Sequence, residues 1–266
     1  MIRQTIRPMV LFALVLAAAP VGATTGREVI DEAQKKNGFS MWKDRTLEAT
    51  MTTYSGGSLT RSRDMTVSEQ TDPRGEHRTF MNFTGPADVQ GTRFLHLSPR
   101  GAADQQWLYT PTVRRVRRLG EAQREENFFG ADLSYRDLEL LVRIQQWNDA
   151  ESTATLAEKD ETVDGHACHV VALVPKNEEF PHYSKYALWF AKDDALLWRV
   201  DIFDTDGKLY KRVTPTRYDR IGQYATAMAS NIETVPNDTN TRFEFRNIKY
   251  DGGIAENTFA VSNLDR

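Results

Sequence analysis

Leu47-Glu48-Ala49-Thr50-Met51-Thr52 alternates apolar and polar side chains without a break. A period of two is that of a β-strand with one face buried. Met65 and Val67 continue it, as do Thr79, Met81 and Phe83. Towards the N-terminus the period lengthens. Thr25-Gly26-Arg27-Glu28 reads as a capping box, Val29, Ile30 and Ala33 form an apolar stripe, and Gly38 stops the helix. Towards the C-terminus strands are expected over 92–97, 106–110 and 113–119. Ser55-Gly56-Gly57, Asp72-Pro73-Arg74-Gly75, Gly85-Pro86 and Ser98-Pro99-Arg100-Gly101 supply the turns. Ser134 caps a second helix, with Asp137 at its third position and an apolar face on Leu138, Leu141 and Val142, running to about Trp147. Strands resume over 154–159, 166–174, 186–191 and 196–204. Asp204-Thr205-Asp206-Gly207 turns the chain into 208–214. Further strands at 218–221, 225–233 and 242–250 follow, the last two joined through Val235-Pro236-Asn237-Asp238.

About eleven to thirteen antiparallel strands with two helices define a mainly β chain. A sheet of that size must curl, and two helices cannot cover both its faces. The economical arrangement is an incomplete, strongly curved antiparallel β-barrel with a helical lid over a hydrophobic cavity. A plain β-sandwich satisfies the element count almost as well.

Composition narrows the function. The chain has 266 residues, 40% apolar and 27% charged, the balance of a globular protein. The 34 basic and 37 acidic residues give a net charge of −3, so nothing draws the whole molecule to nucleic acid. Arg3 and Arg7, the apolar run from Met9 to Ala19, and Val21-Gly22-Ala23 read as a secretory signal peptide over residues 1–23, cleaved after Ala23. Residues 24–266 then form one exported domain. Cys168 is the only cysteine, so an internal disulfide is impossible, and no cysteine stands at the cleavage site to take a lipid anchor. There is no nucleotide-binding glycine motif, which argues against a cofactor of that class.

Catalytic constellations are weak. The sequence has neither a G-x-S-x-G elbow nor H-E-x-x-H. In His166-Ala167-Cys168-His169, strand alternation puts His166 and Cys168 on one face and His169 on the other, an awkward metal site. Glu125-Glu126, Asp193-Asp194 and Glu178-Glu179 read as solvated turns. The run Arg114-Arg115-Val116-Arg117-Arg118 is either a charged edge strand or a docking surface for an acidic partner or anionic headgroups. Trp107 and Tyr109 share a face, as do Phe243 and Phe245, and Trp198 goes with Val200 and Ile202; all are core by default in a β protein.

Several motifs in a fixed order carry more. Phe83-Thr84-Gly85-Pro86-Ala87-Asp88-Val89-Gln90-Gly91-Thr92-Arg93-Phe94-Leu95 is similar to the F-x-x-P-x-D-x-x-G-T-x-F-L signature of outer-membrane lipoprotein-sorting proteins. Trp107-Leu108-Tyr109-Thr110-Pro111, the arginine run and Phe128-Phe129-Gly130-Ala131-Asp132-Leu133-Ser134-Tyr135-Arg136-Asp137-Leu138 follow in that family's order. Phe245-Arg246-Asn247-Ile248, Gly253-Ile254 and Phe259 resemble its closing strand and tail. The resemblance, to the LolA-like superfamily of periplasmic carriers, implies the lidded barrel. It also implies a monomeric, non-enzymatic, soluble periplasmic protein without cofactor, carrying lipid or acylated lipoprotein between the inner and outer membranes. Transient membrane contact and an inner-membrane transporter of the resistance-nodulation-division (RND) type are implied as partners, and nucleic acid is not. A sensor or regulatory docking module on the same fold is the alternative. Phe94, Trp107, Tyr109, Phe128, Trp198, Phe243 and Phe245 are the expected cavity residues, and Arg114, Arg115, Arg117 and Arg118 the expected docking residues. Asp132 and Asp137 are expected to cap the second helix. Trp107→Ala is expected to weaken lipid binding.

Overall fold

The computed structural model describes residues 24–176, 180 and 182–266. The leader reading over residues 1–23 and the Glu178-Glu179 pair lie outside the described residues. Helix α1 (Gly26–Asn37) starts at the expected capping box: the Glu28 amide donates to Thr25 Oγ1 at 3.2 Å, and the Thr25 amide to Glu28 Oε2 at 2.8 Å. Gly38 ends α1 for a reason other than a left-handed turn. Its φ is −74°, and a Cβ there would stand 2.5 Å from the Gln34 carbonyl oxygen.

Strands β1 (Asp44–Ser55), β2 (Ser58–Thr71), β3 (His77–Gly85), β4 (Arg93–Ser98), β5 (Gln105–Thr110) and β6 (Arg115–Arg118) form a meander. A one-turn helix α2 (Glu121–Arg124), not foreseen from periodicity, precedes α3 (Tyr135–Gln145). Then come β7 (Ser152–Leu156), β8 (Glu161–Val163), β9 (His166–Pro175), β10 (Tyr183–Ala191) and β11 (Leu197–Asp204). β12 (Leu209–Ile221), β13 (Tyr224–Thr234) and β14 (Thr239–Tyr250) close the series. The strands expected at 208–214 and 218–221 are one. Pro215, which cannot donate to a ladder, is accommodated where the pairing of β12 with β13 shifts register at Pro215 and Arg217.

All 14 strands join one antiparallel sheet in the order β6-β5-β4-β3-β2-β1-β14-β13-β12-β11-β10-β9-β7, with β8 sharing the outer side of β9. β6 and β7 do not pair with each other, so the sheet curls without closing. Arg115, Arg117 and Arg118 guard one open edge. At the other, α1 settles directly on β7: a Cβ on Gly26 would lie 2.9 Å from the Leu156 amide nitrogen.

The concave face carries two apolar clusters. One joins β9–β12 to Val29, Ile30 and Ala33 of α1 and Leu140 and Ile144 of α3. The other joins β1–β5 to Phe128 and Leu133 of the segment leading into α3 and to Tyr135 at its start. The convex face is apolar in two places as well. Cys168, Trp189 and Trp198 form one patch, and the C-terminal turns lay Phe259 and Leu264 over Leu95 in another.

α3 is bolted down along its length. Asp137 takes part in its capping box with Ser134, as expected, and also accepts from Tyr183 on β10 and from the Lys211 ammonium on β12. Both Asp137 and Lys211 are buried. Glu139 receives Arg124 at 3.0 Å and Arg136 at 3.2 Å, and Arg143 reaches Asp104 at 2.8 Å. Asp132 caps nothing: its carboxylate accepts from Thr239 and Thr241, while its amide donates to Thr241 Oγ1 at 2.8 Å, pinning the loop before α3 to β14. Asp137→Asn keeps the side-chain shape but leaves Lys211 buried without a counter-charge. It is expected to cost about 3–5 kcal/mol in urea unfolding. The pair Asp137→Leu/Lys211→Met is expected to recover much of that loss.

Candidate functional site: an apolar cavity under the helical lid

Between the two concave clusters the helices do not reach the sheet, and a cavity of about 370 Å³ remains. Its floor is laid by alternate residues of neighbouring strands, Ala49, Met65, Met81, Val213 and Ile232 among them. Its roof is Ile30 and Ala33 of α1, Leu138, Leu141 and Val142 of α3, and Phe128 and Leu133 before α3. The volume falls in the range of small-molecule sites, which span about 300–1,000 Å³. A larger hollow of about 990 Å³ along β12–β14, lined by Arg217, Asn231, Glu233, Asn240 and Glu244, is polar.

Four of the seven aromatics expected at the cavity line it. Phe94 and Phe128 are fully buried in its wall, their rings 5.5 Å apart and edge-on. Phe243 and Phe245 stack at 6.2 Å, opposite Met51 and Ala49 of β1.

The other three point away. Trp107 and Tyr109 lie on the convex face with Leu95, under the C-terminal turns; alternation is right, but their face is the outer one. Trp198 is displaced by a β-bulge. Trp189 pairs with Arg199 and Phe190 with Leu197, so Trp198 is the extra residue. It leaves the face of Val200 and Ile202, joins the outer cluster, and stacks on His166 at 4.0 Å.

The arginine run divides. Arg114 sits in the turn before β6, with φ at 47°. Arg118 pairs with Trp107 and lies 5.7 Å over its ring on the convex side. Arg117 pairs with Leu108, which belongs to the concave core, so Arg117 and Arg115 project from the concave face of the edge strand. His166 and Cys168 share the outer face, while His169 bonds Asp160 at 2.9 Å. No cluster of three metal-ligating side chains occurs among the described residues.

One end of the cavity is polar, which periodicity did not indicate. Arg45 and Glu69 line it as a partly buried ion pair, with Nε to Oε2 at 2.6 Å and the Trp42 ring 5.1 Å from the guanidinium. Burial pushes the Glu69 carboxyl up, but Arg45 outweighs it, helped by His77, and holds it at about 2. Burial pushes His77 down despite Glu69, and its ring stacks on Phe39 at 4.0 Å. On the same rung of the sheet, two strands further along at β4, His96 bonds Asp104 at 2.9 Å. Arg45 pairs with Glu69 and His96 with Asp104, and these groups place no nucleophile beside a base. The arrangement suits an apolar ligand with a polar end.

Such a curved open sheet, roofed by helices over an apolar hollow, is the LolA-like class of fold. A family model whose description reads "-like: Uncharacterized protein" matches residues 75–266, most of the chain, and the chain belongs to that family. A DUF1329 family protein from Desulfovibrio piger has the same fold, with a TM-score of 0.81 and 26% identity over 90% of this chain and 98% of its own. So does a domain assigned to outer-membrane lipoprotein sorting from Vibrio parahaemolyticus, with a TM-score of 0.80 and 24% identity over 90% and 97%. A LolA superfamily protein from Nitrosomonas europaea follows at 0.66 and 16%, over 89% and 98%. No curated protein matches the sequence significantly.

The Glu69 carboxyl titrates lower in the folded chain than its ordinary value of about 4.3, so its stabilising share is complete above that pH and is lost as pH falls towards 2. Glu69→Gln is therefore expected to be less stable than the parent at pH 6, with the gap narrowing by pH 3. Urea midpoints at the two pH values read this directly.

Proposed function

We propose that the protein is a periplasmic, non-enzymatic carrier that holds the acyl part of a lipid or acylated lipoprotein in its cavity. The observation that carries this reading is the apolar hollow of about 370 Å³ under the lid. An unfilled apolar void forfeits packing contacts with nothing in return. A void bounded by two separately packed clusters and a bolted roof is sensible when a ligand fills it.

The physics of transfer fits such a site. Each buried methylene contributes about 0.8 kcal/mol, so a sixteen-carbon chain gains about 12 kcal/mol at most. The same chain in a bilayer is buried to a similar value, and exchange between the two is close to neutral. A partner that moves the lid slightly then biases loading or release without nucleotide hydrolysis at this protein.

Location is supported by the leader-like residues 1–23. No helix among the described residues is long and apolar enough to cross a membrane. An RND-type inner-membrane transporter is the proposed partner, passing cargo towards the outer membrane, and the resemblance in motif order supports it. The exposed side chains Arg114, Arg115, Arg117 and Arg118 at the edge strand are the proposed contact with that partner or with anionic headgroups.

Val213 faces the cavity between the two concave clusters. Val213→Trp is expected to weaken uptake of a dansyl-labelled fatty acid at least tenfold while leaving the circular dichroism spectrum unchanged. Trp107→Ala, on the outer face, is expected to leave uptake intact. If a folded Val213→Trp protein bound the probe as well as the parent, the cavity would not be the site.

A further inference from the structure

Arg63 stands out among the cations of the described residues. It lies on β2 two positions from Met65, on the same concave face, and is only 5% exposed. Its Nε and Nη1 atoms are buried without a hydrogen-bond partner, and no carboxylate among the described residues forms an ion pair with it. The other strongly buried arginines are all paired: Arg124 and Arg136 with Glu139, Arg143 with Asp104. What Arg63 does have is the Phe129 ring, with its guanidinium carbon 5.9 Å from the ring centre.

Phe129 is itself held in an uncommon conformation, φ 50° and ψ 34°, in the turn between Phe128 and Gly130. Its ring lies 4.3 Å from that of Phe83 and 6.2 Å from that of Tyr135. Arg61, two residues back along β2, brings Nη1 to within 3.7 Å of where a Gly130 side chain would begin. Burial and the neighbouring Arg61 both push Arg63 down from its ordinary value, and Asp88 opposes them only in part. Tyr135 lies within electrostatic reach of both Arg63 and Arg117, although burial dominates and pushes its phenol up to about 12.

Burying a guanidinium without a counter-charge is costly, and the usual remedy is a carboxylate or a bound anion. Among the described residues no carboxylate is in contact with it. Arginine is also the side chain best shaped to grip an oxyanion, through two parallel N–H donors.

We propose that Arg63, flanked by Arg61, is a binding site for a phosphate-type oxyanion beside Phe129, next to the cavity wall at Phe128. The row Val67, Met65, Arg63, Arg61 runs along one face of β2 from the cavity floor to the arginines. A lipid with its chain over Met65 brings its headgroup to Arg63. The assignment of the anion to a lipid rests on the carrier reading; the oxyanion site does not.

The test compares fluorescent phosphatidic acid, fluorescent diacylglycerol and inorganic phosphate on the full chain, on Arg63→Met and on Arg63→Lys. The parent is expected to bind phosphatidic acid at least tenfold more tightly than diacylglycerol. Arg63→Met is expected to lose that preference with diacylglycerol binding unchanged, and Arg63→Lys to keep part of it. Phosphate is expected to raise the melting temperature of the parent but not of Arg63→Met. A phosphate effect lost in Arg63→Met, without a preference between the lipids, supports the site with free phosphate as its ligand. If the parent takes up neither lipid, the carrier reading falls, and the phosphate measurement still decides the site. Arg63→Met behaving as the parent towards both phosphatidic acid and phosphate overturns the proposal. Should Arg63→Met fail to fold, Arg63→Lys and the phosphate titration of the parent decide, and a parent indifferent to phosphate and to headgroup charge overturns it equally.

Discussion

The height of the roof above the sheet depends on a buried charge pair. Asp137 projects from the first turn of α3 and meets Lys211 on β12 and the Tyr183 hydroxyl on β10. A buried ion pair is weak evidence for net stability, since desolvation offsets most of the attraction. Its geometric consequence is stronger. An apolar helix face slides over an apolar sheet at little cost, whereas a desolvated carboxylate cannot leave its ammonium. Glu139 and Arg143 repeat the device further along α3, and Asp132 repeats it in the loop before. The roof is held by polar bolts at its margins, and the hydrophobic effect is not left to draw it onto the floor.

The hollow follows from that suspension. The concave face is packed where the chain supplies large side chains, around Phe83 and Phe128 on one flank and Leu188 and Ile202 on the other. Between them the floor is Ala49, Val213 and Ile232, side chains too short to reach α1 and α3. α1 is fastened by fewer polar ties than α3: Gln34 to the Trp147 carbonyl, Asn37 to the Asp194 carbonyl and the exposed Arg27 to Asp149. If one roof element moves to admit a chain, the difference in fastening favours α1.

Much of this was legible as periodicity. The alternation from Leu47 to Thr52 led to the sheet, the capping boxes at Thr25 and Ser134 marked both long helices, and the surplus of strands over helices implied a lidded, curved sheet. Periodicity could not say which face was concave. Both faces carry apolar clusters, because the tail covers Leu95 and Trp107 outside just as α3 covers Phe94 inside. Trp107 and Tyr109 were thus assigned to the wrong side of a correctly read strand. Trp198 failed differently: a single inserted residue at a bulge reverses the alternation, and nothing in Leu196-Leu197-Trp198 marks it. The smaller cavity residues, Met65, Met81 and Val213, were visible as strand positions but hidden among core residues of the same type. Arg63 left a signal of its own, a cation at a position where the apolar period of β2 calls for a hydrophobe.

The central claim is that the cavity under the lid carries an acyl chain. Native mass spectrometry of the protein purified from its native cells, with organic extraction of whatever accompanies it, tests that most directly. A co-purifying lipid or acylated species, at up to one per chain, is the predicted result. Protein that emerges empty, and stays empty after incubation with lipid vesicles, would contradict the account.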